Sequence, residues 1–242
     1  MSELKLLSGK VAIVTGASSG TGRVIARRLT GSGCRTVLAS RNQVRLETLQ
    51  RELWADGGES VIVRTDLSQR EELARLVHVT LEELGTIDFL VNNAGWGRKA
   101  VVTKARIEDW ENTFQVNLLA PMILSQLVLP TLIERGTGAV VNISSISGRA
   151  GQAGSAAYAA SKSGLIAFSQ SLYEEVREHG IKVTAILPGF VDTPMIPPVR
   201  HLDRSRMLQP DDVAEAVLFA LTTSTTSCPV EIMLRPQRTP YK

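Results

Sequence analysis

Short β-branched runs and stretches of helical period alternate along this chain, and that alternation constrains the fold more than any other feature. Residues 11–14 (Val-Ala-Ile-Val) end in a glycine-rich turn, after which Val24, Ile25, Ala26 and Leu29 recur at helical spacing. The cycle repeats as a strand over 36–39 with a helix over 43–54, then a strand over 61–64 with a helix over 69–84. Runs at 87–91, 139–143 and 183–187 add strands, separated by helices near 110–133 and 158–178, and a last strand lies near Glu231. Strand-helix units joined by right-handed crossovers give an open parallel sheet covered on both faces. The predicted class is therefore α/β: a doubly wound, Rossmann-like parallel sheet in a single three-layer αβα domain over 1–242. Ligands of such sheets lie at the carboxyl ends of the strands. The stretch 194–210, with Pro197 and Pro198 and no clear period, is expected to be a mobile loop over that site.

Composition narrows the function classes. With 43% hydrophobic and 21% charged residues, a chain of 242 residues can bury a full sheet and is not a disordered segment. The net charge of +3 is spread along the sequence, so the pI near 9.0 does not point to a nucleic acid or a membrane as partner. Cys34 and Cys228 form no Cys-x-x-Cys and no cluster with His78, His179 or His201, so no metal site is expected. Residues 1–10 are too polar and too short for a signal peptide, and no stretch of about 18 uninterrupted apolar residues follows, which makes a cytoplasmic address the expectation.

Three segments carry candidate chemistry. In the turn Gly16-Ala17-Ser18-Ser19-Gly20-Thr21-Gly22 the glycines let the backbone approach a phosphate at a helix N-terminus, where unpaired N–H groups favour anions. Three glycines between a strand and a helix also occur as simple punctuation, and the spacing here is Gly-x-x-x-Gly-x-Gly rather than Gly-x-Gly-x-x-Gly. Gly16, Ser18 and Gly20 also match the Gly-x-Ser-x-Gly of a hydrolase nucleophile elbow. That reading ranks third, because the turn follows the first strand and no HGGG-type oxyanion motif is present. Tyr158 and Lys162, four residues apart at a helix start, share one face, where the ammonium is expected to lower the phenol pKa from about 10. Such a pair also arises as a packed ring beside a solvated charge. Ser145 stands at the end of the strand over 139–143, placed to hold a substrate oxygen, although serine is common in turns. The Asn142-Ile143-Ser144 glycosylation pattern falls inside a predicted strand and is set aside.

Five motifs in order, Thr15-Gly-x-x-x-Gly20-x-Gly22, Asn92-Asn93-Ala94-Gly95, Asn117, Ser145 with Tyr158-x-x-x-Lys162, and Pro188-Gly189 with Thr193, resemble the short-chain dehydrogenase/reductase family from Leu7 to the strand near Glu231. The resemblance implies hydride transfer between nicotinamide and a carbonyl (ketone, ketoester or 3-oxoacyl thioester) or secondary alcohol. It makes Tyr158 the proton donor to the carbonyl oxygen, Ser145 a hydrogen-bond partner of that oxygen, and Lys162 a ligand of the nicotinamide ribose. Asn117 would organise a water between Lys162 and solvent. Asp66 would accept from the adenine amino group, Asn93 would line the adenosine side, and the backbone around Gly189 with Thr193 would fix the carboxamide. Leu67, Ala94, Gly95, Pro188 and Val191 complete the implied cofactor set. Structural alternatives stand beside these: Asp66 as a helix cap in competition with Ser68, Asn117 as a buried amide, and Pro188 as a strand end.

NAD-preferring relatives place an acid about where Ser40 stands. Here Ser40-Arg41-Asn42 offers a guanidinium and two neutral groups, so the implied cofactor is NADP(H). The alternative is that Arg41 is a surface charge like Arg45 or Arg51. Bacterial 3-oxoacyl-carrier-protein reductases match closely through Pro188, whereas the ending Cys228-Pro229-Val230-Glu231 lacks their glycine-rich segment and looks more like small-alcohol and hydroxy-acid dehydrogenases. Trp96, Gln152, Phe190 and residues 194–207 are expected to wall the substrate pocket. Arg200, His201, Arg204 and Arg206 either attract an acidic substrate or form a solvated loop. A non-catalytic NADP(H)-binding regulator or scaffold is the competing function. The resemblance also implies a homo-oligomer, tetramer or dimer, through the helices over 110–133 and 158–178. Leu118, Leu119, Ile123, Leu127, Phe168 and Leu172 exceed the needs of one buried stripe there.

Overall fold

The computed structural model describes residues 7–196 and 202–241. Pro197, Pro198, Arg200 and His201 lie outside the described residues. The elements run β1 (Val11–Thr15), α1 (Gly20–Gly31), β2 (Arg35–Ser40), α2 (Gln43–Ala55), β3 (Glu59–Arg64), α3 (Arg70–Leu84) and β4 (Phe89–Asn92). The second half runs α4 (Ile107–Phe114), α5 (Ala120–Arg135), β5 (Gly138–Ile143), α6 (Ala156–Val176), β6 (Ile181–Pro188), α7 (Pro210–Thr222) and β7 (Glu231–Leu234). The seven strands form one sheet in the order β3-β2-β1-β4-β5-β6-β7, and every pair in it is parallel.

Burial follows from that order. All five residues of β1 are buried, as a central strand covered on both faces requires. Ala12 and Val14 point into a core filled by Ile25 and Leu29 of α1, Leu46 and Leu49 of α2, and Val213 and Val217 of α7. Ile13 points the other way, into a core with Leu73 and Leu76 of α3, Leu124 and Val128 of α5, and Leu172 of α6. The chain turns outward in both directions from β1, so the gap between β1 and β4 opens a crevice at the strand ends, where this architecture takes ligands.

Two polar features fasten the sheet. Asn92 Nδ2 donates to Asn142 Oδ1 (2.9 Å), and Asn142 Nδ2 donates to Ser169 Oγ (2.9 Å), a buried rung from β4 through β5 to α6. At the opposite end Asp88, only 2% exposed, accepts from Val11 N (2.9 Å) and pairs with Lys10 (2.9 Å) and Arg135 (3.0 Å). Both cations are more than a third exposed and can rehydrate, so the buried Val11 amide sets the cost of losing the carboxylate. Asp88→Ala is expected to lower the unfolding free energy by about 1–3 kcal/mol in urea titrations, and an unchanged midpoint would contradict it.

The helix expected near 110–133 is present as one helical run, Ile107–Arg135, with a π-helical segment, Gln115–Leu119, between α4 and α5. The described parts of 194–210 are not a free loop: Arg204–Arg206 forms a 3-10 turn, Val191 pairs with Leu208, and Leu202 pairs with Tyr241. Helix α7 was not expected. Its start is marked by Pro210 in the first turn and by a reciprocal cap between Gln209 and Asp212.

Candidate active site

The turn after β1 is braced from β4. Gly16 has φ 69°, and a Cβ there would stand 2.9 Å from Asn93 Nδ2. Asn93 Nδ2 donates to Thr15 O (2.9 Å), and the amides of Asn93 and Ala94 donate to Thr15 Oγ1 (3.0 and 3.1 Å). Gly22 lies against the same Asn93 amide and the Gly16 carbonyl, leaving no room for a side chain. Asn93 and Ala94 therefore shape the turn. Ser19 begins α1 in extended conformation, without a side-chain cap and with no acid in the first turn. Exposed N–H groups with no competing carboxylate suit an anionic group such as a diphosphate.

At the end of β2, Ser40 Oγ donates to Ser18 Oγ (2.8 Å), tying that strand to the turn. Arg41 is exposed. Asn42 accepts from Arg45 N (3.0 Å) as the cap of α2, which commits its oxygen and leaves Nδ2 as the group that could donate to a phosphate. Asp66 Oδ1 accepts from the backbone N (3.0 Å) and hydroxyl (2.8 Å) of Ser68, and neither residue caps α3, which begins after Gln69. Partial burial pushes the Asp66 carboxyl up, but the Ser68 hydrogen bonds and the charges of Arg41 and Arg64 outweigh it, and the net shift is downward. Leu67 is buried beside it.

The catalytic candidates converge at the end of β5. Ser145 is 8% exposed, accepts from Ser147 N (3.1 Å), and is hydrogen-bonded to the Tyr158 side chain. Lys162 is buried, donates from Nζ to Ile143 O (2.7 Å), and lies 5.9 Å from the Tyr158 ring centre. The expected lowering of the phenol pKa is not met. Burial raises it above its ordinary value, against the smaller opposing effect of Ser145, and burial also pushes the Lys162 ammonium down to about 8. Desolvation penalises both charged forms, and for the phenol it outweighs the opposing effect.

Asn117 lies buried on the π-helical segment. Its Oδ1 accepts from Trp96 N (2.8 Å), while Nδ2 donates to Trp96 O (2.8 Å) and Ser161 Oγ (3.1 Å). The side chain is thus committed to the Trp96 backbone and to Ser161, and it pins Trp96 where the pocket wall was expected. Gly97, which sequence reasoning passed over, packs on the Tyr158 ring, since a Cβ there would lie 2.8 Å from Tyr158 Cδ2. Pro188 ends β6, Gly189 N donates to Leu234 O (2.8 Å), and Thr193 stands against Gly20. Phe190 meets the ring of Tyr241 edge-on at 5.4 Å, whereas Gln152 is exposed on its loop. Arg204 is bound by Asp192 and Arg206 pairs with Asp203 (3.4 Å), so neither is a loose cation of a solvated loop.

The long helices carry a second feature. Along α5 and α6 a groove is lined by Leu119, Met122, Ile133 and Phe168, with Leu119 43% exposed. Leu172 is buried in the chain's own core and reaches the floor of the groove, whereas Leu118 packs on Gly164. The helical run Ile107–Arg135 is long and apolar enough to cross a membrane by length and composition, and its buried stripe lies on the sheet.

Residues 10–203, well over half of the chain, match the family model described as short chain dehydrogenase. An uncharacterized oxidoreductase of Staphylococcus aureus (strain USA300) is 36% identical over 233 residues, covering 96% of this chain and 100% of the relative. One from Staphylococcus saprophyticus is 36% identical over 232 residues, covering 95% and 98%. A crystal structure of a metagenomic short-chain oxidoreductase in complex with NADP superposes with a TM-score of 0.85 at 35% identity, covering 97% of this chain and 100% of that one. A short-chain type dehydrogenase/reductase from Mycobacterium marinum (TM-score 0.89, 24% identity, 96% of both chains) shares the fold. The chain belongs to the short-chain dehydrogenase family and is an oxidoreductase of that family.

Proposed function

We propose that the protein reduces a carbonyl, as a ketone, ketoester or 3-oxoacyl thioester, to a secondary alcohol with NADPH, or runs the reverse reaction. The observation that carries this is the convergence of Ser145, Tyr158 and Lys162 at the end of β5, with Lys162 Nζ on Ile143 O (2.7 Å) and 5.9 Å from the Tyr158 ring centre, and Ser145 paired with the phenol. NADPH supplies the hydride when bound. Ser145 holds the carbonyl oxygen by a hydrogen bond, and Tyr158 passes its hydroxyl proton to that oxygen. A phenol raised by burial is fully protonated at neutral pH, so Tyr158 is loaded for reduction. Lys162 holds the nicotinamide ribose and, while charged, favours the phenolate left behind. Ser40 in place of an acid, with Arg41 beside it, supports NADP(H), as does the NADP bound in the metagenomic relative.

NADPH oxidation measured against a panel of ketones, ketoesters and acyl thioesters tests the reading. Tight NADPH binding with silence across the panel would favour a regulator on the same fold. Because Lys162 loses its proton near pH 8, kcat for reduction is expected to fall as pH rises through about that value. In Lys162→Met both rate and cofactor affinity should drop, and the limb near pH 8 should vanish. An unchanged profile in the residual activity would remove the electrostatic role.

A second copy of the chain is the proposed partner, seated on the groove of α5 and α6, with a cytoplasmic address. Light scattering at micromolar concentration is expected to give at least twice the 26.2 kDa chain mass, and a monomer mass would refute it.

A further inference from the structure

The segment Asp192–Ile196 crosses the cofactor turn without belonging to the sheet. A Cβ at Gly20 would lie 3.4 Å from both Cβ and Cγ2 of Thr193, and one at Gly95 would lie 3.9 Å from Met195 Cε. The segment therefore touches the turn at one end and the Gly95 backbone, beside Lys162, at the other. One guanidinium gathers it. Arg204 Nε donates to Asp192 Oδ1 (2.7 Å), Nη1 to Ile196 O (3.1 Å) and Nη2 to Thr193 O (3.2 Å). Arg204 is anchored in turn, because Asp203 N donates to Pro240 O (2.8 Å), Leu202 pairs with Tyr241, and Tyr241 packs on Phe190.

We propose that Arg204 is a positioning residue: with Asp192 it fixes residues 192–196 over the glycine turn and thereby sets how fast the cofactor leaves. The proposal rests on the reading of that turn as the NADP(H) site. Lifting the segment breaks three hydrogen bonds from one charged guanidinium together, one of them to a carboxylate, so the bound state is held mainly through its release rate. Arg204 touches neither substrate nor cofactor in this scheme, so the chemical step itself should not depend on it.

Release of NADPH from the full-length protein, followed by stopped-flow fluorescence, tests this in the wild type, Arg204→Met, Arg204→Lys and Arg206→Met. Arg204→Met is expected to speed release roughly tenfold or more and to raise Kd and KM for NADPH in parallel. At saturating cofactor kcat should stay level or rise, with an unaltered pH profile. Lysine keeps the charge beside Asp192 but cannot span both carbonyls, so Arg204→Lys should fall between. Arg206→Met, which breaks only a pair within the 3-10 turn, should release at the wild-type rate. Wild-type release from Arg204→Met, or an equal acceleration in Arg206→Met, would overturn the proposal. If Arg204→Met does not fold, Asp192→Asn carries the same test and must accelerate release. A wild-type protein that binds no NADPH would instead remove the cofactor reading beneath it.

Discussion

Tyr158→Phe is expected to remove most turnover, about a hundred- to ten-thousand-fold in kcat, while leaving NADPH affinity nearly intact. The substitution deletes one oxygen. It keeps the ring on which Gly97 packs and the position of Lys162 5.9 Å from its centre, so the pocket that remains is almost the same shape. The lost group is the only one hydrogen-bonded to Ser145 that can pass a proton to a carbonyl oxygen in the proposed scheme. Fluorescence titration with NADPH beside steady-state rates separates the two effects. Near wild-type kcat would end the assignment of Tyr158, and a matching loss of affinity would show a role in binding instead.

The second large effect is in cofactor choice. The wild type is expected to prefer NADPH over NADH by about ten-fold to more than a hundred-fold in kcat/KM, from one charge-assisted hydrogen bond between Arg41 and a 2′-phosphate. The structure narrows the source of that preference. Ser40 already donates to Ser18 and the Asn42 oxygen caps α2, so the Arg41 guanidinium must carry most of it, with the Asn42 Nδ2 donor and the positive field of Arg64 nearby. Ser40→Asp combined with Arg41→Ala should move the preference toward NADH, since a carboxylate at the end of β2 repels the phosphate and accepts from a ribose hydroxyl. Equal use of the two cofactors by the wild type, or no change in the double variant, would place the discriminating contact elsewhere.

How far the sequence foretells the structure depends on where each residue's partners lie. The β1 turn, the β5 serine and the α6 pair were legible because their chemistry depends on spacing within one element or at its end. Helix α7 carried its start signals in Pro210 and Asp212, yet it follows an aperiodic stretch that hides where the pattern resumes. Asn117 had two readings, and only the approach of Trp96 from another loop decides that its amide is spent on that backbone. The sign of the Tyr158 shift was missed for a similar reason. Spacing supplies the neighbouring ammonium, whereas the desolvation that outweighs it comes from residues packed in from several elements. Tyr241, 51 residues beyond Phe190, left no local mark at all.

The rung from Asn92 through Asn142 to Ser169 bears on the chemistry although it lies below it. Apolar packing holds a helix against a sheet but is indifferent to small slides along the axis, because it depends on area rather than direction. Hydrogen bonds are directional, and a slip of α6 by one helical step would break the Asn142–Ser169 bond and strand the buried Asn142 amide. Helix α6 carries Tyr158 and Lys162, and β5 leads to Ser145. The rung therefore acts as a detent, indexing the Tyr158 phenol against the Ser145 hydroxyl.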